Sequence, residues 1–211
     1  VYTFAMTFAC SGLYLATTTL ATRALANDEK EKMPGTVMRT AFLWGSLFGL
    51  VAAVSLYTVS PFICNRWLSE TRAIRPLRTM ALTLPFISLS TALNGYFTAC
   101  RRVYKNAIVS FSEQIVRIFS TVALLGRLPN VPEAEEACFA LVIGNVIAEC
   151  FSFFLSFILY SFDKKRHFST APFHSQRGYM ISAFASVALP IALSSYVRSA
   201  LLSVEHALLP Y

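Results

Sequence analysis

Apolar residues run along this chain in long blocks, separated by short stretches rich in charge, proline and glycine. Six such blocks cover about residues 1–22, 39–62, 79–99, 107–126, 137–162 and 179–204. A helix that crosses the hydrocarbon core of a bilayer needs roughly 20 residues at 1.5 Å rise each. Backbone polar groups cannot stay unpaired in lipid, and the apolar–polar alternation of barrel strands is absent. The pattern therefore predicts an all-α, polytopic transmembrane helical bundle with about six spans.

Polar positions inside these blocks carry the functional question. A charge at mid-bilayer costs about 2.5–3.5 kcal/mol by insertion scales, so it usually faces a bundle interior or a water-filled cavity. The fourth block sets Ser110, Glu113, Gln114, Arg117 and Thr121 on one helical face, opposite Ile108, Ile115, Ile118, Phe119 and Val122. Glu113 precedes Arg117 by four residues, so the two can pair along the helix. That pair reads either as neutralisation within the bundle or as part of a ligand site. In the fifth block Asn145, Glu149, Ser152 and Ser156 form another stripe. Glu149 has no basic residue three or four positions away. It can carry a coupling proton or cation, although a hydrogen bond to a neighbouring helix would look the same in sequence. The sixth block places Ser182, Ser186, Pro190, Ser194 and Arg198 at steps of four. Pro190 removes a backbone hydrogen bond and predicts a kink or hinge. Asn94, with Ser88, Thr91 and Thr98, makes a weaker stripe on the third block.

Composition supports the membrane reading. The 211 residues are 55% hydrophobic and 14% charged, whereas soluble domains carry about 25% charged residues. The net charge of +7 does not mark a nucleic-acid surface, because the basic residues fall in loops where topology signals belong. Eleven of them lie in the first, third and fifth loops, and five in the second and fourth. The odd loops are thus expected to be cytoplasmic. The five cysteines have no CxxC spacing and read as packing residues. No HExxH, GxSxG or Walker sequence occurs. Neither an enzyme, a metal site nor a cofactor is predicted.

Three segments carry a family resemblance. LNGYFTACRRVYKNAIVSFSEQIVRI (93–118) is similar to the central motif of stage V sporulation protein B-like transporters. VALPIALSSYVRSALLSVEHALLP (187–210) resembles the opening of that family's second lobe, and SGLYLATTTLATRALA (11–26) its second helix. These transporters belong to the multidrug/oligosaccharidyl-lipid/polysaccharide (MATE-like) exporter superfamily. The resemblance implies a bacterial cytoplasmic membrane protein with two six-helix lobes around a central cavity. It makes residues 1–162 the N-terminal lobe without its first helix, 163–178 the inter-lobe loop, and 179–211 the first helix of the second lobe. The chain would be an internal piece of a longer protein, covering helices two to seven and inactive alone.

By similarity Gly95, Glu113, Gln114, Arg117 and Pro190 carry over, while Asn94 stands where many members have arginine. The implied activity is alternating-access flipping of a lipid-linked oligosaccharide or peptidoglycan precursor. Arg117 and Arg198 would hold its phosphates, with Glu113, Gln114 and Asn94 lining the cavity. Glu149 and Asn145 would couple transport to a cation or proton. Two other readings stay open. One is a cation-coupled multidrug exporter of the same superfamily, and the other a non-transporting scaffold in spore or envelope assembly.

Overall fold

The computed structural model describes residues 2–10, 12–26, 33–64, 74–126, 134–167 and 177–208, and helices follow one another through them. They are α1 (Tyr2–Cys10), α2 (Leu13–Ala26), α3 (Met33–Ile63), α4 (Ile74–Ala81), α5 (Leu84–Ala99), α6 (Val103–Leu125), α7 (Ala134–His167) and α8 (Arg177–Leu208). No strand occurs among the described residues. The protein is an all-α membrane helical bundle. Val37–Phe62, Val103–Leu125 and Glu136–Asp163 are long and apolar enough to cross a bilayer, and Ser182–Val197 is a shorter apolar stretch.

Two of the blocks expected as single helices are broken. The first divides at Gly12, whose φ of 76° lies in the left-handed region that glycine enters without steric cost. Space gives a second reason. A Cβ on Gly12 would collide with the carbonyl oxygen of Ala188, so the α1–α2 break is also where α8 crosses. The third block divides at Leu82 and Thr83. There the amides of both residues donate to Thr79 and Met80, three residues back, at 3.2 and 3.0 Å. Pro85, at the start of α5, has no N–H to continue the α4 ladder. Helix α7 runs on to His167 and α8 begins at Arg177, so both helices enter the 163–178 stretch, whose middle lies outside the described residues.

The core is built from small residues that let helices approach closely. Ala16, Ala41 and Ala92 are fully buried among α2, α3 and α5, beneath Leu93, Phe97 and Phe184. Gly45 and Gly49, four apart on α3, press against Ser88 and Pro85 of α5. Ser88 Oγ donates to the Gly45 carbonyl at 2.8 Å. Gly95 of α5 meets Tyr14 and Thr17 of α2 in the same way. The outward faces of α3, α6, α7 and α8 are lined by exposed Leu, Ile, Val and Phe, as a hydrocarbon solvent requires.

A tight turn reverses the chain between α5 and α6. The Arg102 amide donates to the Phe97 carbonyl at 2.8 Å, and Arg101 takes a left-handed φ of 57°. This six-to-one bond with a left-handed residue before it is a Schellman closure. Helix α6 then runs along α7, and this pair carries the charged residues.

Candidate functional site

The polar face of α6 meets the polar face of α7 at a charged cluster. Arg117 Nη2 lies 2.5 Å from Glu113 Oε1 and 3.3 Å from Glu149 Oε1. Its Nη1 donates to Gln114 Oε1 at 3.4 Å. One guanidinium is thus shared by two carboxylates from two helices, with an amide beside it. The Arg117 side chain is about one-third exposed, and the two carboxylates less. Buried Arg117 Nε has no partner among the described residues. Glu149 is isolated from cations along its own helix, but α6 brings it one. That pairing follows from the antiparallel register of α6 and α7, which sequence does not state. Asn145 sits one turn before Glu149, and Ser152 and Ser156 continue the stripe into the buried side of α7.

Helix α1 packs against α3, α5 and α8. The Tyr2 hydroxyl meets Thr83 Oγ1 at 2.9 Å.

Asn94 belongs to a different set of contacts. Its carbonyl oxygen accepts from Asn106 Nδ2 at 3.1 Å. Asn106 also donates to Thr98 Oγ1 at 3.1 Å, and Tyr14 donates to the same hydroxyl at 3.2 Å. The Oδ1 atoms of Asn94 and Asn106 are buried without partners among the described residues. Asn106 was missed in sequence because a lone amide near a helix start reads as a capping or loop residue. Pro190 lies inside α8, on an apolar cavity of about 610 Å³ with Leu13, Trp44, Phe48, Phe184 and Tyr196. Neither Arg117 nor Glu149 lines that cavity. The side chain of Arg198 lies outside the described residues.

A second ionic cluster, at the turn end of α6, has no counterpart in the sequence reading. Arg102 Nη1 and Lys105 Nζ both lie 2.6 Å from Asp163 Oδ1. Lys105 and Asp163 are only 8% and 6% exposed, far less than loop charges acting only as topology signals. Lys105 also sits 5.4 Å from the ring centre of Phe97. The usable signal was a single Asp at the end of an apolar block otherwise followed by Lys and Arg.

Comparison with known proteins agrees with this helical, membrane-embedded picture. A family profile described as polysaccharide biosynthesis protein matches residues 1–210. The chain is 24% identical over 190 residues to stage V sporulation protein B of Bacillus subtilis (strain 168). That alignment covers 88% of this chain and 36% of the relative, so the chain spans about a third of the relative's length. No solved structure matches it.

Proposed function

The chain belongs to the polysaccharide biosynthesis protein family, and on that premise we propose that it forms one wall of the cavity of a lipid-linked sugar flippase. The protein would be multi-pass in the bacterial cytoplasmic membrane, and the substrate a sugar or peptidoglycan precursor joined to lipid through phosphate. The observation that carries the reading is Arg117, held at the α6–α7 seam between Glu113 and Glu149 with its buried Nε unpartnered among the described residues. A guanidinium offers five donors in a planar fork and suits phosphate oxygens. Phosphate would compete with the two carboxylates for it. A carboxylate released in that exchange gains a proton or a small cation, which supplies a route for coupling through Glu149 and Asn145. The sugar would contact Gln114 and Asn94, and Arg198 of α8 would supply a second cation. Pro190 would act as the hinge of that helix.

The test uses the full-length protein. Arg117→Ala should abolish complementation of a deletion strain while leaving the membrane level unchanged. Arg117→Lys should restore little, because an ammonium cannot reproduce the fork. Full activity of Arg117→Ala would defeat the assignment. Glu149→Gln should retain headgroup binding while slowing translocation in reconstituted vesicles.

One observation favours a second reading. Two carboxylates surround a single guanidinium, so the cluster is formally anionic and could receive the cationic ligand of a drug exporter. Vesicles that move a cationic dye but not a lipid-linked sugar would establish that alternative. Vesicles that move neither would favour a scaffold.

A further inference from the structure

Helix α6 has little apolar burial to fix its position. Its only buried residues are Lys105 and Val109, while Phe111, Ile115, Ile118, Phe119 and Val122 face outward. Apart from the close approach of Gly144 to Thr121, where a Cβ would meet Thr121 Oγ1, little apolar burial opposes a slide or rotation of this amphipathic helix, yet Arg117 must meet Glu149. A slip of one residue turns a side chain by about 100°, and a slip of one turn carries it about 5.4 Å.

Polar contacts between α6 and α7 share one antiparallel register. Lys105 pairs with Asp163 near one end of α6, Arg117 with Glu149 near its middle, and Ser120 Oγ donates to the Gly144 carbonyl at 3.3 Å further on. The Asp163 cluster is the most buried of the three. Two cations converge on its Oδ1, and its Oδ2 is buried without a partner among the described residues. Breaking a buried pair leaves an uncompensated charge, and the best-attested use of such groups is fixing register.

We propose that Asp163, with Lys105 and Arg102, is the register pin of the α6–α7 pair and thereby positions Arg117 against Glu149. Asp163 is a positioning residue, about four helical turns from Glu149 along α7. Arg102 and Lys105 overlap in this role, since either alone leaves the carboxylate one cation. The proposal rests on the transport reading only for its consequence in activity, because the register can be measured without any substrate.

The test is a distance measurement on the full-length protein with its native cysteines replaced by alanine. Spin labels are placed at Ile118 of α6 and Phe154 of α7, both exposed. The parent protein should give one narrow distance distribution. Asp163→Asn should broaden it or shift it by about 5 Å, whereas Asp163→Glu should keep it narrow, as should Lys105→Met. An Asp163→Asn distribution that superimposes on the parent overturns the proposal. If Asp163→Asn cannot be purified, the transposed chain Lys105→Asp with Asp163→Lys decides. It should return the parent distance, and a broad distribution there overturns the pin. A broadened or shifted register with full transport would instead leave the pin standing and place the fault in the reading of Arg117.

Discussion

Glycines set how closely the helices of this bundle approach, and their substitution should separate packing from propensity. A Cβ on Gly95 would stand 2.8 Å from the Tyr14 carbonyl oxygen and 3.1 Å from Thr17 Cβ. At Gly49 it would stand 2.8 Å from Pro85 Cα. Each set includes backbone atoms, and at Gly49 also the Ser88 hydroxyl, so α2 and α5 must separate at Gly95 and α3 and α5 at Gly49. Gly95→Val and Gly49→Val should each cost about 1–3 kcal/mol, the usual range for overpacking, read as earlier unfolding in detergent. Gly35 has nothing within 4 Å of the same position. Gly35→Ala should be neutral or stabilise by up to about 1 kcal/mol through helix propensity alone. The spacing of Gly45 and Gly49 is visible in the sequence, but what they pack against is not. Ser88 and Pro85 lie about forty residues away, and only the folded chain brings them into contact. Glu149 teaches the same lesson for charge: its solitude along the helix was legible, and its partner on α6 was not.

Among the elements, α6 is the one whose sequence said most. Its division into a polar and an apolar stripe follows directly from helical periodicity, and the apolar stripe does lie on the outside. Phe119 is 76% exposed and Ile118 64%, so hydrocarbon is their solvent. Phe119→Asp should therefore impair insertion of α6, at a cost of about 2.5–3.5 kcal/mol on insertion scales. Glycosylation mapping of the α6 segment would show it as a fall in the inserted fraction. Ser120→Ala, next to it but turned toward Gly144, should insert normally. The breaks in the first and third blocks were less legible. Hydropathy sums a window and passes over a single residue such as Gly12, whose backbone is left-handed. Pro85 was in plain view, yet a proline near the start of a span is as compatible with a helix N-terminus as with a break. What decided it was the three-residue hydrogen bonding around Leu82 and Thr83, together with Tyr2 of α1 reaching Thr83.

At the scale of the whole molecule, loop charge and helix packing bear independently on topology. Loop charge puts the first, third and fifth connections on one side, by the excess of Lys and Arg they carry. Packing brings the same three together. Arg102 and Lys105, beside the third connection, hold Asp163, where α7 approaches the fifth. Tyr160 of the same α7 end packs edge-on against Phe42, about one turn beyond Arg39 in α3, with ring centres 6.1 Å apart. At the far end of α3, Arg78 of α4 donates to Ser60 Oγ at 3.3 Å and covers the Tyr57 ring at 4.7 Å. Its guanidinium is therefore engaged by protein and is a weaker topology signal than a free loop charge, which increases the contrast between the two sides. This arrangement makes a prediction that single-loop charge counting would not. Because Arg102, Lys105 and Asp163 form one buried cluster, the third and fifth connections cannot be placed on opposite sides without taking the bundle apart. Alkaline phosphatase fusions after residues 70 and 130 should be active, and fusions after 28 and 170 inactive. Neutralising Lys164, Lys165 and Arg166 together should leave that pattern intact in the folded protein, since Asp163 remains clamped to α6. A phosphatase signal after residue 170 that rises in the triple variant, with the signal after 130 unchanged, would mean that loop charge alone holds the fifth connection in place.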